Sequence, residues 1–448
     1  MLHTDFIRRI IMFKNVSWRR VIVMGGIGWT LSILLLWGIS YRVSAVSTKA
    51  YEDLRIFTDV LSIVQDNYAE ETDTKNLLQG AIKGMLYGLD PHSSFMTSEE
   101  YKEMQVETKG TFGGVGIEIG IRDNVLTVIA PIEDTPAFKA GIKAGDKIIK
   151  IGEKSTKDMS ITDAVKLMRG SRGTKVTLWI LREDWKDPQE FAITRDIIAI
   201  KSIKHRLLEE GFGYVRISQF QEKTANDLED ALNKLGSREN KLKGVILDLR
   251  NNPGGLLSQA VEVADKFLDS GLIVYTKGRT PGQDIKFEAK PGDTHPSYMI
   301  IVLVNGGSAS ASEIVAGALQ DHKRAVILGT QTFGKGSVQT IIPLSDGAAL
   351  RLTTSKYYTP SGRSIQAKGI EPDIVVGEPV REHIKEKDLE RHLEAETVKP
   401  EKEKKIKVEE KVPGKVTGEK EEAEDIQLKR ALDYLKSWYI FQGTVNKP

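Results

Sequence analysis

The amino-acid sequence predicts a multidomain α+β chain: an N-terminal membrane helix, a helical region, a glycine-rich β module and an α/β core. Three observations point to this class. Residues 21–41 form an uncharged apolar run. Hydrophobic spacing then changes from three and four residues to strand-type alternation near Gly110. Beyond Ile200, apolar runs such as GVILDLR (244–250) and MIIVLV (299–304) alternate with helical stretches, as strands covered on both faces do.

At about 1.5 Å rise per residue, the run at 21–41 is long enough to cross a hydrocarbon core of roughly 30 Å. Arg8, Arg9, Lys14, Arg19 and Arg20 precede it against the single acid Asp5. The positive-inside rule therefore keeps residues 1–20 in the cytoplasm and puts the bulk of the chain outside it, in a periplasmic or extracytoplasmic space. A signal peptide processed near Val43-Ser44-Ala45 is the alternative, although the run exceeds the usual apolar stretch of about 7–15 residues. Residues 47–105 read as helices: Leu54, Phe57, Val60, Leu61 and Val64 share one face, and Leu77, Leu78, Ile82 and Met85 another, before Gly88 and Asp90-Pro91 break the pattern. The β module occupies 106–195 and the core 196–378. Residues 379–423 are mostly Glu and Lys, too polar to bury a core, and read as a solvated linker or weak helix. At 424–441 a short amphipathic helix carries Ile426, Ala431, Leu432, Leu435 and Trp438. It would dock on the body or a second subunit, or hang as a tail.

Composition excludes several classes. The 448 residues carry a net charge of +2, so nothing draws the chain to nucleic acid in general. With no cysteine, disulfides and thiol catalysis are ruled out, and the seven scattered histidines offer no zinc spacing. No Walker sequence is present, so neither metal nor nucleotide cofactor is expected.

The segment N-G-G-S-A-S-A-S-E (305–313) follows the MIIVLV run, with small residues in a strand–turn–helix pattern. A helix N-terminus there would offer unpaired N–H groups and positive potential to an oxyanion. Ser308, Ser310 and Ser312 compete as nucleophile, and spacing alone does not choose. A serine needs a base. His295 and His322 sit in no convincing pattern. Lys335, in T-F-G-K-G-S-V-Q (332–339), is the other candidate: Phe333 and Val338 make a dry pocket that would lower its pKa, and Gln339 would hold the neutral amine without adding charge. In the β module, GGVGIEI (113–119) and A-G-I-K-A-G-D-K-I (140–148) give a glycine loop, strand and helix able to take an extended peptide.

The latter residues resemble a PDZ domain of the bacterial protease type, which implies that Val115, Gly116 and Ile117 line the loop for a peptide's terminal carboxylate. Arg169 would either couple that groove to catalysis or stay solvated. G-S-A-S-A-S-E and F-G-K-G-S-V-Q resemble the tail-specific (carboxyl-terminal processing) serine proteases, peptidase family S41. D-L-R-N-N-P-G-G (248–255) and G-M-L-Y-G-L-D-P-H-S (84–93) match the same family. The resemblance spans about residues 51–376. It implies a crotonase/ClpP-like core, Ser310 as nucleophile, Lys335 as base 25 positions on (310 to 335), and an oxyanion hole from Ala311 with Gly254 or Gly255. Asp321 matches an acid of uncertain role. The expected activity is endoproteolysis of exported polypeptides with apolar C-terminal tails. Oligomeric state and any adaptor stay open. A membrane-anchored, non-catalytic PDZ scaffold and an acyl-CoA-handling enzyme are the rivals; the second lacks a nucleotide pocket in the sequence.

Overall fold

The computed structural model describes residues 48–209, 211–236, 242–292, 295, 298–377, 383–394, 408–410 and 425–445. The expected membrane helix at 21–41 and most of the 379–423 segment lie outside them. Among the described residues no helix is long and apolar enough to cross a membrane.

The chain divides into two compact units at Ala81. The first holds α1 (Thr48–Asn67) and the opening of α2 (Thr74–Tyr87). Asp73 caps α2 by accepting the Lys75 N–H at 2.8 Å.

In the second unit, Asp90 Oδ1 accepts the His92 and Ser93 amides at 2.8 and 2.9 Å and shapes the turn after α2. Then come β1 (Ser94–Met96) and α3 (Ser98–Lys109). A capping box between Thr97 and Glu100 opens α3, and Gly110 at φ 67° closes it, a conformation suited to glycine.

The glycine-rich module follows. It comprises β2 (Thr111–Gly114), β3 (Ile117–Arg122), β4 (Val125–Pro131), α4 (Pro136–Lys139), β5 (Lys147–Ile151), β6 (Lys154–Ser155), α5 (Ile161–Met168), β7 (Lys175–Leu181), β8 (Gln189–Thr194) and β9 (Asp196–Ala199). Strands pair in the order β3-β4-β5-β7-β8 with β6 on β5, while β2 pairs β9. The period of two is plain in β7, where Val176, Leu178 and Ile180 turn inward onto Val128, Ile148 and Ala164. Helix α5 packs beside β3.

The core contains β10 (Ile203–Glu209), β11 (Phe212–Ile217), α6 (Thr224–Leu235), β12 (Gly244–Asp248), α7 (Leu257–Asp265), β13 (Leu272–Gly278), β14 (Lys286–Glu288), β15 (Met299–Val304), α8 (Ala311–Asp321), β16 (Val326–Gly329), β17 (Ser337–Pro343), β18 (Ala349–Tyr358), β19 (Ile374–Val376), β20 (Val408–Glu410) and α9 (Ile426–Val445). Its main sheet runs β10-β11-β12-β15-β16-β19-β20, parallel from β11 onward. A second sheet joins β1, β18, β13 and β14, with β17 on β18.

Alternate residues of the parallel strands face opposite layers. Val245, Leu247, Ile300, Val302 and Val304 pack with α6, α7 and α8. Ile246, Ile301, Leu303 and Leu328 pack on the other side with Ala431 and Leu435 of α9. This is why GVILDLR and MIIVLV are apolar throughout. The C-terminal helix is thus docked on the body: burying Leu435 contributes about 2 kcal/mol. Arg250 clamps its first turn, reaching both Asp425 carboxylate oxygens at 2.8 and 2.7 Å while holding Asp248.

Candidate active site

Strand β15 ends at Val304 and the chain turns through residues 305–309 into α8, with Ser310 as the residue before its first turn. Ser310 has φ 55° and ψ −112°, a backbone that non-glycine residues rarely hold and that is kept only where the surroundings force it. Buried serines flank it. Ser308 Oγ donates to Leu249 O at 2.8 Å and Ser312 Oγ to Asn252 O at 2.9 Å. Both hydroxyls are committed to tying the turn to the 249–252 loop. Ser310 is partly exposed. Position alone left three candidates; geometry separates them.

One buried carboxylate organises the site. Glu313 is fully buried. Its Oε2 accepts the Ser310 N–H at 2.8 Å and the Lys335 N–H at 2.9 Å, and its Oε1 accepts the Gly334 N–H at 2.7 Å and Thr332 Oγ1 at 2.5 Å. The Ser310 and Lys335 backbones therefore hang from the same side chain. Burial pushes the Glu313 carboxyl up to about 7 against the pull of those four donors. Tyr357, buried on β18, closes the other side: its hydroxyl donates to the Lys335 carbonyl oxygen and meets the Ser310 hydroxyl, and burial holds its pKa well above the usual value.

The lysine turn is tight because glycine flanks it. A Cβ on Gly336 would lie 2.4 Å from Gln366 N, so the chain could not approach the turn at Gln366 with any other residue. Among the described residues the Lys335 amine has no hydrogen-bond partner. Burial lowers its pKa, and the Arg351 guanidinium lowers it further. Glu386, Glu313 and Asp90 pull the other way without cancelling the effect of burial. The amine is thus biased toward its neutral form.

Gly254 lies against the nucleophile. A Cβ there would come within 2.8 Å of Ser310 Cβ and 3.0 Å of Ala311 N, in the space before that amide. The Gly254 N–H donates to Asn252 Oδ1 at 2.9 Å. Gly255 follows at φ 142°, bridged to Phe220.

Other expected residues fall elsewhere. Gln339 directs its amide to Ser337 Oγ at 2.8 Å and, at 3.4 Å, to Thr353 Oγ1; no hydrogen bond links it to Lys335 among the described residues. Asp321 ends α8, about 16 Å from Ser310 at 1.5 Å per residue. It is taken up by Arg363 and by the Ser361 N–H at 2.9 Å. His322 bonds Leu272 O and His295 bonds Glu229, so neither faces the serine. In the glycine-rich module Val115 is buried, Gly116 at φ 80° leaves room for Thr135, and Ile117 opens β3. Arg169 stacks on Phe112 at 5.1 Å and pairs with no acid among the described residues.

Glu313, Tyr357, Arg351 and Asp90 were missed as site residues by reading the sequence. Glu313 left one usable signal, an acid three positions into a helix that opens on a serine. Asp90 showed only as a turn residue within the 84–93 motif, and Tyr357 and Arg351, on a distant strand, left none.

Residues 211–376 match the family model for peptidase family S41, residues 127–182 a PDZ domain, and residues 39–100 the N-terminal domain of the activating protease CtpB. A carboxy-terminal-processing protease of Bartonella bacilliformis is 53% identical over 341 residues, covering 76% of this chain and 78% of that one. The chain belongs to this protease family. A carboxyl-terminal-processing protease of Synechocystis is 38% identical over 379 residues, covering 79% of this chain and 88% of that one. A solved photosystem II D1 C-terminal processing protease is 29% identical, covers 72% and 92% respectively, and has a TM-score of 0.42. Membership decides between the readings the sequence left open: this S41 chain is a serine peptidase with a PDZ domain, not a non-catalytic scaffold.

Proposed function

We propose that this peptidase is a tail-directed endopeptidase of exported polypeptides in which neutral Lys335 takes the proton of Ser310. One observation carries the reading. Of the three serines, the one whose hydroxyl is not given to a backbone carbonyl hangs by its backbone N–H from the Glu313 carboxylate that also holds the backbone N–H of the partly buried Lys335. Ser310 Oγ would attack the scissile carbonyl carbon while its proton passes to Lys335 Nζ. The carbonyl oxygen then becomes an oxyanion, met by the Ala311 N–H at the head of α8. Gly255 supplies the second donor, because the Gly254 N–H is already held by Asn252. Lys335 returns the proton to the leaving amine, and the same amine next activates the water that releases the acyl group.

The substrate tail adds as a strand beside β3, and the loop at Val115, Gly116 and Ile117 receives its terminal carboxylate. Peptides ending in an apolar residue with a free carboxylate should be cut better than their C-terminal amides. A charge-assisted hydrogen bond is worth about 1.5–3 kcal/mol, so kcat/KM should fall about 10- to 100-fold on amidation, mostly through KM. Equal rates for both peptides would remove the tail-binding role while leaving the peptidase intact.

The reading extends to location. The basic residues before the apolar run support an anchor at 21–41, with the catalytic region outside the cytoplasm. Protein expressed from its own start should stay in the membrane after alkaline carbonate washing, and deleting 21–41 should release it. Full release of the intact chain by the wash would overturn the anchor.

A further inference from the structure

We propose that residues 383–394, from the charged stretch that composition alone reads as solvated, form a strap belonging to the catalytic apparatus, and that Glu386 is a positioning residue for the Lys335 turn. The inference rests on Lys335 being the base.

Glu386 comes from a stretch beyond the 211–376 family match, yet its side chain is fully buried. A carboxylate is costly to bury unless its oxygens are satisfied. Here they are: His92 Nε2 lies 2.8 Å from Oε2 and 3.0 Å from Oε1, and Gln366 Nε2 donates to Oε1 at 2.8 Å. Gln366 is buried too, and its Oε1 accepts the Gly336 N–H at 3.0 Å. A continuous chain of hydrogen bonds thus runs from the strap, through Gln366, to the residue after the lysine.

The strap grips the same turn twice more. The Glu386 N–H donates to Phe333 O at 3.1 Å, and Lys385 Nζ reaches Gln331 Oε1 at 2.7 Å. Its ends are tied down independently. His383 packs on Gly306, where a Cβ would meet it at 2.5 Å. Arg391 donates to Tyr87 O at 2.8 Å with its guanidinium over the Tyr87 ring. Lys356 Nζ donates to Glu394 O at 3.1 Å. The strap therefore connects the turn before the nucleophile, the turn carrying the base and the Asp90–Ser93 turn.

Glu386 acts on the lysine in two separable ways. Its hydrogen bonds fix the turn, and its charge favours the protonated amine. The charged and titratable groups facing Lys335 are Glu386, Glu313 and Asp90 on the negative side and Arg351 on the positive side, with Tyr357 across from it and His92 and Lys385 bordering Glu386. Glu386→Gln keeps an acceptor for Gln366 and removes the charge. Glu386→Ala removes both.

The test measures kcat, KM and the pH profile of kcat/KM on a cleavable peptide, in the full-length chain, with melting temperatures for each variant. Glu386→Ala should lose about 10- to 100-fold in kcat with KM nearly unchanged, because a small misplacement of a reacting group is that costly. Glu386→Gln should recover most of the plateau rate and move the acid limb to lower pH, since the amine then loses its proton more easily. A near-isosteric Gln variant guards against a simple folding loss in the Ala variant. An acid limb unmoved in Glu386→Gln, or a wild-type kcat in Glu386→Ala, would overturn the proposal. Should Lys335→Ala itself retain activity, the base assignment fails instead, which is a distinct outcome.

Discussion

Replacing Lys335 by alanine should lower kcat by about 10⁴- to 10⁶-fold, the range seen when a serine peptidase loses one member of its catalytic set, while leaving the fold intact. The turn at Lys335 is held through main-chain N–H groups by Glu313, and the amine itself makes no hydrogen bond among the described residues. Nothing structural leaves with it. The Ser310→Ala/Lys335→Ala double variant should be no slower than either single one, because the two groups act in one step. In the wild type, kcat/KM should rise with pH through an apparent pKa below the ordinary lysine value of 10.5, since burial disfavours the charged amine. The same burial has a stability sign. With the folded pKa below the unfolded one, the unfolded chain holds more protons in the interval between them, so stability grows with pH across that window. Lys335→Met should therefore melt no lower than wild type at neutral pH while being inactive. Full turnover by Lys335→Ala would end the dyad reading.

Glu313→Ala should be the most damaging single change to stability. It strips the acceptor from three main-chain N–H groups and the Thr332 hydroxyl. Each buried group left unpaired costs about 1–3 kcal/mol. Four of them approach the whole stability of an ordinary domain, about 5–15 kcal/mol. The expected result is a chain that melts far lower and is inactive. Glu313→Gln offers a single carbonyl oxygen to the same four donors and should fall between the two, folded but with kcat well below wild type. Burial holds the wild-type carboxyl at about 7, above its unfolded value. Stability from this group is thus full at low pH and is lost as pH rises toward 7; melting curves at pH 5 and 8 should differ less in Glu313→Gln than in wild type. A wild-type melting temperature in Glu313→Ala would show the carboxylate to be dispensable.

Local features carried much of this architecture. The apolar runs of β12 and β15, the small-residue turn before α8 and the glycines around Lys335 are set by backbone demands that act over a few residues, so spacing reveals them. Longer-range matters left weaker marks. Gln339 sits where a lysine partner was expected, but strand pairing turns its amide toward Ser337 and Thr353. Asp321 lies close to Ser310 in sequence, and eleven helical residues carry it to the far end. Glu386 looks like one more solvated acid among lysines, because only the meeting of His92, Gln366 and Phe333 in space makes its burial affordable. Periodicity reports which face of an element is dry; it does not report which distant segment arrives to cover a charge.

The docking of α9 against β12 and β15 bears on the order in which the sheet is covered. A nascent chain that has emerged only to Val376 still shows a greasy underside at Ile246, Ile301 and Leu303. That surface is sealed some sixty residues later, by Ala431 and Leu435. A chain stopped short of α9 would therefore present a bare apolar face of the sheet to water, the kind of patch through which proteins associate.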